Sequence, residues 1–348
     1  MPSYGTALYK ANGTTPLVNQ GLSGGSLYLD TVTLAVGTSA TYTYPDVPGG
    51  SYLRVMLVKA GAHSYSIATN GSGQATVAFT YASGSGSSNQ TIAFIFASQT
   101  TEPSYGVSLI NDAGERLVSS LFSVPECIGV VTATYVGGGS IGGVWSATSS
   151  VGAGRKRMIL WKIPDTSYTS FQADGYISEA VTGSYSVSCK QYQSSAESFA
   201  APVAYIFALT GLANGSESYG IRVYTSGGAV TFDSGKQMLA LLKSQTYDFG
   251  TPVTVASMSG VAAAVLLPSP TSQYGSSSSY FAGYDGITGE PLYGYIYTNY
   301  FGATRKNGTT LYSDYFYVDG GSGWTLNDYY NGQSTGLVTV VTDSSNYS

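Results

Sequence analysis

Tyr4-Gly5-Thr6-Ala7-Leu8, Tyr105-Gly106-Val107-Ser108-Leu109 and Tyr219-Gly220-Ile221-Arg222-Val223 are three copies of one pattern, preceded by Ser3, Ser104 and Ser218. In each copy a glycine falls nine residues after the tyrosine: Gly13, Gly114 and Gly228. These glycines close the turn-rich stretches Lys10-Ala11-Asn12-Gly13, Asn111-Asp112-Ala113-Gly114 and Thr225-Ser226-Gly227-Gly228. An alternating run, a tight turn and a returning run such as Ala229-Val230-Thr231-Phe232-Asp233-Ser234 predict a β-hairpin. Its last turn residue needs positive φ, where a Cβ would clash and glycine is favoured.

Outward from the hairpins, each segment is expected to end in an apolar strand without alternation. These are Thr91-Ile92-Ala93-Phe94-Ile95-Phe96-Ala97, Pro202-Val203-Ala204-Tyr205-Ile206-Phe207-Ala208 and Gly336-Leu337-Val338-Thr339-Val340-Val341-Thr342. A short apolar run of this kind reads as a strand with no solvent face. The chain thus divides into 1–102, 103–216 and 217–348, units of domain size joined by polar linkers. Other strands are expected at Tyr28–Leu34, Tyr52–Val58, Ala75–Tyr81, Met158–Trp161 and Tyr185–Cys189, with turns at Pro48-Gly49-Gly50, Asn70-Gly71, Gly84-Ser85-Gly86 and Gly137-Gly138-Gly139. Met238 to Lys243 is the one short helix candidate. Short strands punctuated every 8 to 12 residues indicate an all-β chain of three tandem β-sandwiches, immunoglobulin-like or jelly-roll-like.

Composition narrows the function. Of 348 residues 9% are charged, against roughly 25% in an average soluble protein. A net charge of −5 lacks the clustered Lys and Arg that neutralise phosphates, so no nucleic-acid partner is expected. The one basic run, Arg155-Lys156-Arg157, reads as a polar entry to an apolar strand. The longest apolar stretch, Gly260 to Leu267, stops at Pro268, short of the ~20 residues that span a bilayer. No membrane insertion is expected. The start, Met1-Pro2-Ser3-Tyr4-Gly5, has no basic and apolar signal pattern. Synthesis in a host cytoplasm followed by assembly into a virion fits that combination.

The serine-tyrosine-glycine opening, the turn glycine and a return ending in Phe232-Asp233-Ser234 resemble a recurring module of tailed-bacteriophage virion proteins, found in tail-tip, tail-fibre and other small surface proteins. The direct resemblance covers residues 3–18, 104–121 and 218–235. It implies a structural virion component, a tail fibre or tail-tip protein involved in assembly and host attachment. Such a protein is a homo-oligomer, with a trimer favoured, and contacts other virion proteins and a host surface glycan or protein. Segment 1–102 is assigned to docking and segment 217–348 to outward contact. A capsid decoration or head-fibre protein and a glycan-binding adhesin are the alternatives.

Catalytic chemistry finds little support. The single histidine, His63 in Gly61-Ala62-His63-Ser64-Tyr65, reads as a polar loop residue. Three G-x-S-x-G strings, starting at Gly21, Gly138 and Gly332, are not followed by the helix that a nucleophile elbow requires. Cys127 and Cys189 lack the spacing of a zinc site and read as buried thiols, with a single bridge between them as the alternative. Tyr317-Val318-Asp319-Gly320-Gly321 and Tyr284-Asp285-Gly286 read as turns and not as calcium loops. The six N-x-S/T sequons, at Asn12, Asn70, Asn89, Asn214, Asn307 and Asn346, are read as products of turn chemistry. No enzyme, cofactor or metal is expected.

Tyrosine is the feature that remains. Of 31 tyrosines, twelve lie between Tyr274 and Tyr330. Alternation in Tyr293-Gly294-Tyr295-Ile296-Tyr297 puts three on one strand face. With Tyr300, Tyr329 and Tyr330 they form the candidate binding set, since tyrosine gives large amphipathic contact area at low entropic cost. Contact with a neighbouring subunit, host binding and plain sandwich-face packing all remain open for this set.

Overall fold

The computed structural model describes residues 27–49, 52–59, 63–81, 90–97, 101, 108–110, 116–119, 124–139, 142–151, 156–173, 183–193, 198–208, 221–233, 236–239, 241–247, 253–254, 263–265, 273–284, 291–325 and 337–343. These residues form strands and their connections, with no helix among them. In 1–102 lie β1 (Leu27–Leu34), β2 (Ala40–Pro48), β3 (Leu53–Lys59), β4 (His63–Thr69), β5 (Gln74–Tyr81) and β6 (Thr91–Ala97). In 103–216 lie β7 (Ser108–Ile110), β8 (Arg116–Ser119), β9 (Glu126–Thr132), β10 (Thr134–Gly139), β11 (Gly142–Ser149), β12 (Arg157–Lys162), β13 (Thr169–Ala173), β14 (Tyr185–Gln193) and β15 (Val203–Ala208). The rest are β16 (Arg222–Tyr224), β17 (Val230–Asp233), β18 (Leu241–Tyr247), β19 (Val253–Thr254), β20 (Ala263–Val265), β21 (Gln273–Tyr284), β22 (Pro291–Asn307), β23 (Thr310–Thr325) and β24 (Leu337–Asp343).

Four sheets carry the fold. The first is β2-β5-β4 and the second β1-β6-β3. The third is β18-β24-β20-β12-β15-β9. The fourth is β10-β11-β14-β13-β22-β23-β19, with β21 added on β22. Three apolar layers separate them. Ala75, Val77 and Phe79 of the first sheet pack on Val32, Val55, Ala93, Ile95 and Ala97 of the second. Tyr28, Phe94 and Phe96 of the second meet Met158, Leu160, Tyr205 and Phe207 of the third. Ile159, Trp161, Ala204 and Ile206 of the third meet Ala147, Phe171, Val187 and Cys189 of the fourth.

The apolar runs now have a physical cause. Successive side chains of a strand point to opposite faces, so Ala93, Ile95 and Ala97 fill one core while Phe94 and Phe96 fill the next. The same alternation sends Met158 and Leu160 one way and Ile159 and Trp161 the other. A strand covered on both faces has no position for a polar side chain without a partner, and β6 is buried along its whole length. The register of β1 slips between Tyr28 and Asp30 against β6. That bulge lets Tyr28 join the core with Phe96, at 5.9 Å and 72° between rings, while Val32 and Leu34 serve the other core.

The sheets do not follow the sequence boundary at 216. In the third sheet β9, β12 and β15 come from 103–216 and β18, β20 and β24 from 217–348. The fourth sheet is mixed in the same way, through the pairing of Phe171 in β13 with Thr304 in β22. Two sheets alone leave an outer face on each; stacking them supplies the second cover that the apolar strands require. The short helix expected from Met238 to Lys243 is replaced by a bridge from Met238 to Glu126 and by strand β18. Gly137-Gly138-Gly139 is not a turn but the bulged end of β10, with Gly137 at φ 104°. Asp319 and Gly320 likewise lie inside β23, paired with Asn299 and Thr298.

Candidate functional site

The tyrosine-rich region forms a three-stranded antiparallel ribbon, β21-β22-β23. Its strands have 12, 17 and 16 residues, so β22 runs for about 56 Å where a common strand runs ~17–20 Å. The base of the ribbon is built into the fourth sheet, where Ala303, Thr304 and Leu311 are fully buried. Asp165 holds its turn. One carboxylate oxygen accepts from Lys306 Nζ at 2.5 Å and from the Gly308 backbone N–H at 2.9 Å. The Thr166 N–H donates to the Lys306 carbonyl at 2.9 Å, and the Arg305 guanidinium sits 4.0 Å over the Tyr312 ring. Gly308, at φ 59°, supplies the positive φ that this turn needs.

Beyond the base, β21 and β23 flank β22 with no further strand partner among the described residues. Register places Tyr293 between Phe281 and Thr325, Tyr295 between Ser279 and Gly323, and Tyr297 between Ser277 and Gly321. These three positions share one pleat parity. Tyr300 lies an odd number of residues away and so falls on the other parity. There it is the centre of a cross-strand row with Tyr274 on β21 and Tyr317 on β23. The candidate set is thereby split into a column of three and a separate row. Tyr329 and Tyr330 lie outside the described residues.

Two of the three hairpins can be compared. In β7-β8 Ser108 pairs with Ser119, Leu109 with Val118 and Ile110 with Arg116. In β16-β17 the equivalent pairs are Arg222 with Asp233, Val223 with Phe232 and Tyr224 with Val230. Both carry a register shift at the same place, before the turn. Gly228 stands at φ 82°, and a Cβ there would meet nothing within 4 Å, so glycine is required by backbone conformation alone. Its N–H donates to the Thr225 carbonyl at 3.0 Å. Arg222 Nε donates to the buried Asp233 at 2.8 Å. β8 lies beside β17, and the chain leaving the earlier hairpin is stitched to the later one by Val124 N–H to Thr231 O at 3.1 Å and Cys127 N–H to Gln237 O at 2.7 Å. Gly13 and Gly114 lie outside the described residues.

His63 is not a loop residue. It opens β4, is buried, and uses both ring nitrogens, one toward the β1–β2 connection and one toward β6. Nε2 donates to the Thr38 carbonyl, which can only accept, at 2.8 Å, and Nδ1 shares a hydrogen bond with the Thr91 hydroxyl at 2.8 Å. Its ring stands edge-on to Tyr81 at 5.2 Å. Cys127 and Cys189 are buried thiols in different cores, not joined in a disulfide. Arg157, the last of the basic run, is fully buried as the first residue of β12, with its guanidinium 3.8 Å over the Tyr185 ring. Among the described residues no three His, Cys, Asp or Glu side chains come close enough to hold a metal ion, and no helix is long and apolar enough to cross a membrane.

An aromatic surface that the sequence reading passed over lies on β10, the end strand of the fourth sheet among the described residues. Tyr135 on β10 is 50% exposed and Val136 63%. Tyr135 meets Trp145 edge-on at 5.4 Å, Trp145 tilts on Phe199 at 6.1 Å, and Phe199 meets the buried Phe171 at 5.6 Å. The Trp145 indole N–H donates to Gln191 Oε1 at 2.6 Å. Gly143 makes room for the Tyr135 ring, which would come within 2.2 Å of a Cβ there. Tyr135 and Trp145, paired across the β10-β11 hairpin with glycines between them in sequence, were the signal available in the sequence.

No family model, curated protein or solved structure matches this chain.

Proposed function

We propose that this chain is a non-enzymatic structural protein of a bacteriophage virion, of the tail-fibre or tail-tip type, acting in assembly and host attachment. The observation that carries the reading is the hairpin module. Two copies with the same register and the same bulge stand side by side in an all-β chain with 9% charged residues. In this reading 1–102, 103–216 and 217–348 descend from one hairpin-led sandwich unit, and the later two have come to share sheets. Its partners are further copies of itself, with a trimer favoured, and neighbouring virion proteins. A host glycan or protein is met by the outward segment. Low charge suits such a role, since closely packed copies repel one another less.

The test is antibody labelling of purified particles, intact and separated into heads and tails. Label at tails or tail tips supports the proposal. Label confined to capsids replaces it with decoration of the head, and absence from particles overturns it.

A further inference from the structure

We propose that the aromatic corner of β10 and β11, formed by Tyr135 and Trp145 with Gln191 of β14 beside them, is a binding site for a neutral saccharide. The proposed function puts host contact in 217–348; this site lies in 103–216 and does not rest on the virion reading.

The corner is the end of a row that begins in the core. Ala173, Cys189, Trp145 and Tyr135 are paired in turn across β13, β14, β11 and β10, so their side chains share one face of the fourth sheet. Along that row burial falls away. Ala173 and Cys189 belong to the core, Trp145 is half-buried and Tyr135 is 50% exposed. A single exposed tyrosine needs no explanation, but this one is held in a fixed pose. Its ring lies over Gly143, where a Cβ would come within 2.2 Å of it, and against Trp145. Trp145 is fixed in its turn by the hydrogen bond to Gln191 and by the Phe199 ring. A site that is rigid before its ligand arrives loses little entropy on binding.

Three features choose the ligand. Aromatic faces are negative and attract the polarised C–H groups of a pyranose ring. Two rings 5.4 Å apart and inclined at 65° offer one sugar a stacking face and a side wall. Next comes the amide. An indole N–H can only donate, so the Gln191 atom that meets it is the oxygen, and the NH2 group is left to donate to a sugar hydroxyl. Such a mix of apolar walls with few placed polar groups is how small-molecule sites set orientation. Charge is the third feature. On this face of β10, β11 and β14 no residue is charged, and Lys190 lies on the opposite parity, paired with Val144 and Gln172. Nothing there would compensate a phosphate, a carboxylate or a cation. Two rings of ~150–250 Å² each also fall short of the ~800 Å² that each partner buries in a stable protein interface.

The test is titration of the full chain with glucose, galactose, mannose, N-acetylglucosamine and disaccharides of these, followed by tryptophan fluorescence and by saturation-transfer NMR. Saturable binding of at least one sugar is expected, with a change in tryptophan emission. Tyr135→Ala should weaken it about tenfold or more. Gln191→Glu keeps an oxygen for the indole N–H and removes the amide donor, so binding should fall while the near-ultraviolet circular dichroism of the tryptophans is retained. Tyr224→Ala, which removes a tyrosine of β16 that is also exposed, should change nothing. Failure of every sugar to bind overturns the proposal. So does binding that ignores Tyr135→Ala and Gln191→Glu, or that Tyr224→Ala weakens equally. Sugar binding lost on Tyr295→Ala instead would keep the host contact in 217–348 and remove this site. A chain absent from particles that binds sugar through Tyr135 would keep this site and lose the virion reading.

Discussion

Replacing Phe96 by alanine probes the layer that joins the first segment of the chain to the rest. Phe96 is completely buried in the core between the second and third sheets. Its ring is lost from an edge-on pair with Tyr28, and the partners across the layer, Met158, Leu160, Tyr205 and Phe207, come from a strand region far along the chain. Burying a large apolar side chain contributes about 1.5–3 kcal/mol, and the cavity left by removing it adds to the loss, so Phe→Ala in a core costs ~3–5 kcal/mol. The three tryptophans, Trp145, Trp161 and Trp324, all lie beyond residue 103. Their fluorescence during urea unfolding therefore reports on the later segments alone. Phe96→Ala is expected to move the tryptophan transition to lower urea by an amount equivalent to that loss. Phe207→Ala should do the same from the other side of the layer, and the double variant should lose less than the sum, since both deletions enlarge one cavity. Were the first segment a bead with its own closed core, that face of β6 would look into water. The substitution would then fall within about 0.5 kcal/mol and leave the tryptophan signal unmoved; that result refutes the stacking.

Burial pushes the Tyr44 phenol well above its ordinary value of 10.0, with the nearby Asp30 carboxylate adding to the rise, and its buried hydroxyl has no hydrogen-bond partner among the described residues. An unfolded chain loses that proton near pH 10 while the folded one keeps it, so stability falls as pH rises above about 10. Tyr44→Phe should reduce that slope and add up to about 1 kcal/mol at neutral pH, because an unsatisfied buried group is removed; urea titrations at neutral and alkaline pH check both. Gly228→Ala should cost ~1–2 kcal/mol from the left-handed backbone alone, measured by thermal unfolding, while the neighbouring Gly227→Ala, at ordinary φ with only Thr225 at 3.7 Å, should cost less. Asp165→Ala removes the acceptor of both Lys306 and the Gly308 N–H; faster hydrogen exchange at residues 304–312 with an unchanged core is the expected outcome.

Much of the fold is legible in the residues. The run from Thr91 to Ala97 announces a strand with no solvent face, and β6 has those bounds. The hairpin spacing places β16 and β17 around Gly228 with the register that the repeat implies. What covers the second face of an apolar strand is long-range information, however, and no local pattern names Phe207 as the opposite wall for Phe96. A linker can be read from Gly211 to Glu217, but not, for that reason, the return of β24 to a sheet already holding β12 and β15. His63 reads as a loop residue because its partners, Thr38 and Thr91, are distant in sequence. Glycine runs mislead in the same way, since Gly137 to Gly139 bulge a strand and do not end it. In the tyrosine region alternation foretells the column of Tyr293, Tyr295 and Tyr297. The row of Tyr274, Tyr300 and Tyr317 needed the register of three strands.

Native-state hydrogen exchange on β6, β12, β15 and β24 tests the stacked sheets most directly. Strands joined by shared cores or by pairing within one sheet open together, so the slowest amides of all four should exchange with one common free energy and respond equally to denaturant. If β6 exchanges through a separate, lower-energy opening that leaves β12, β15 and β24 protected, the first segment is an independent bead and the stack is contradicted.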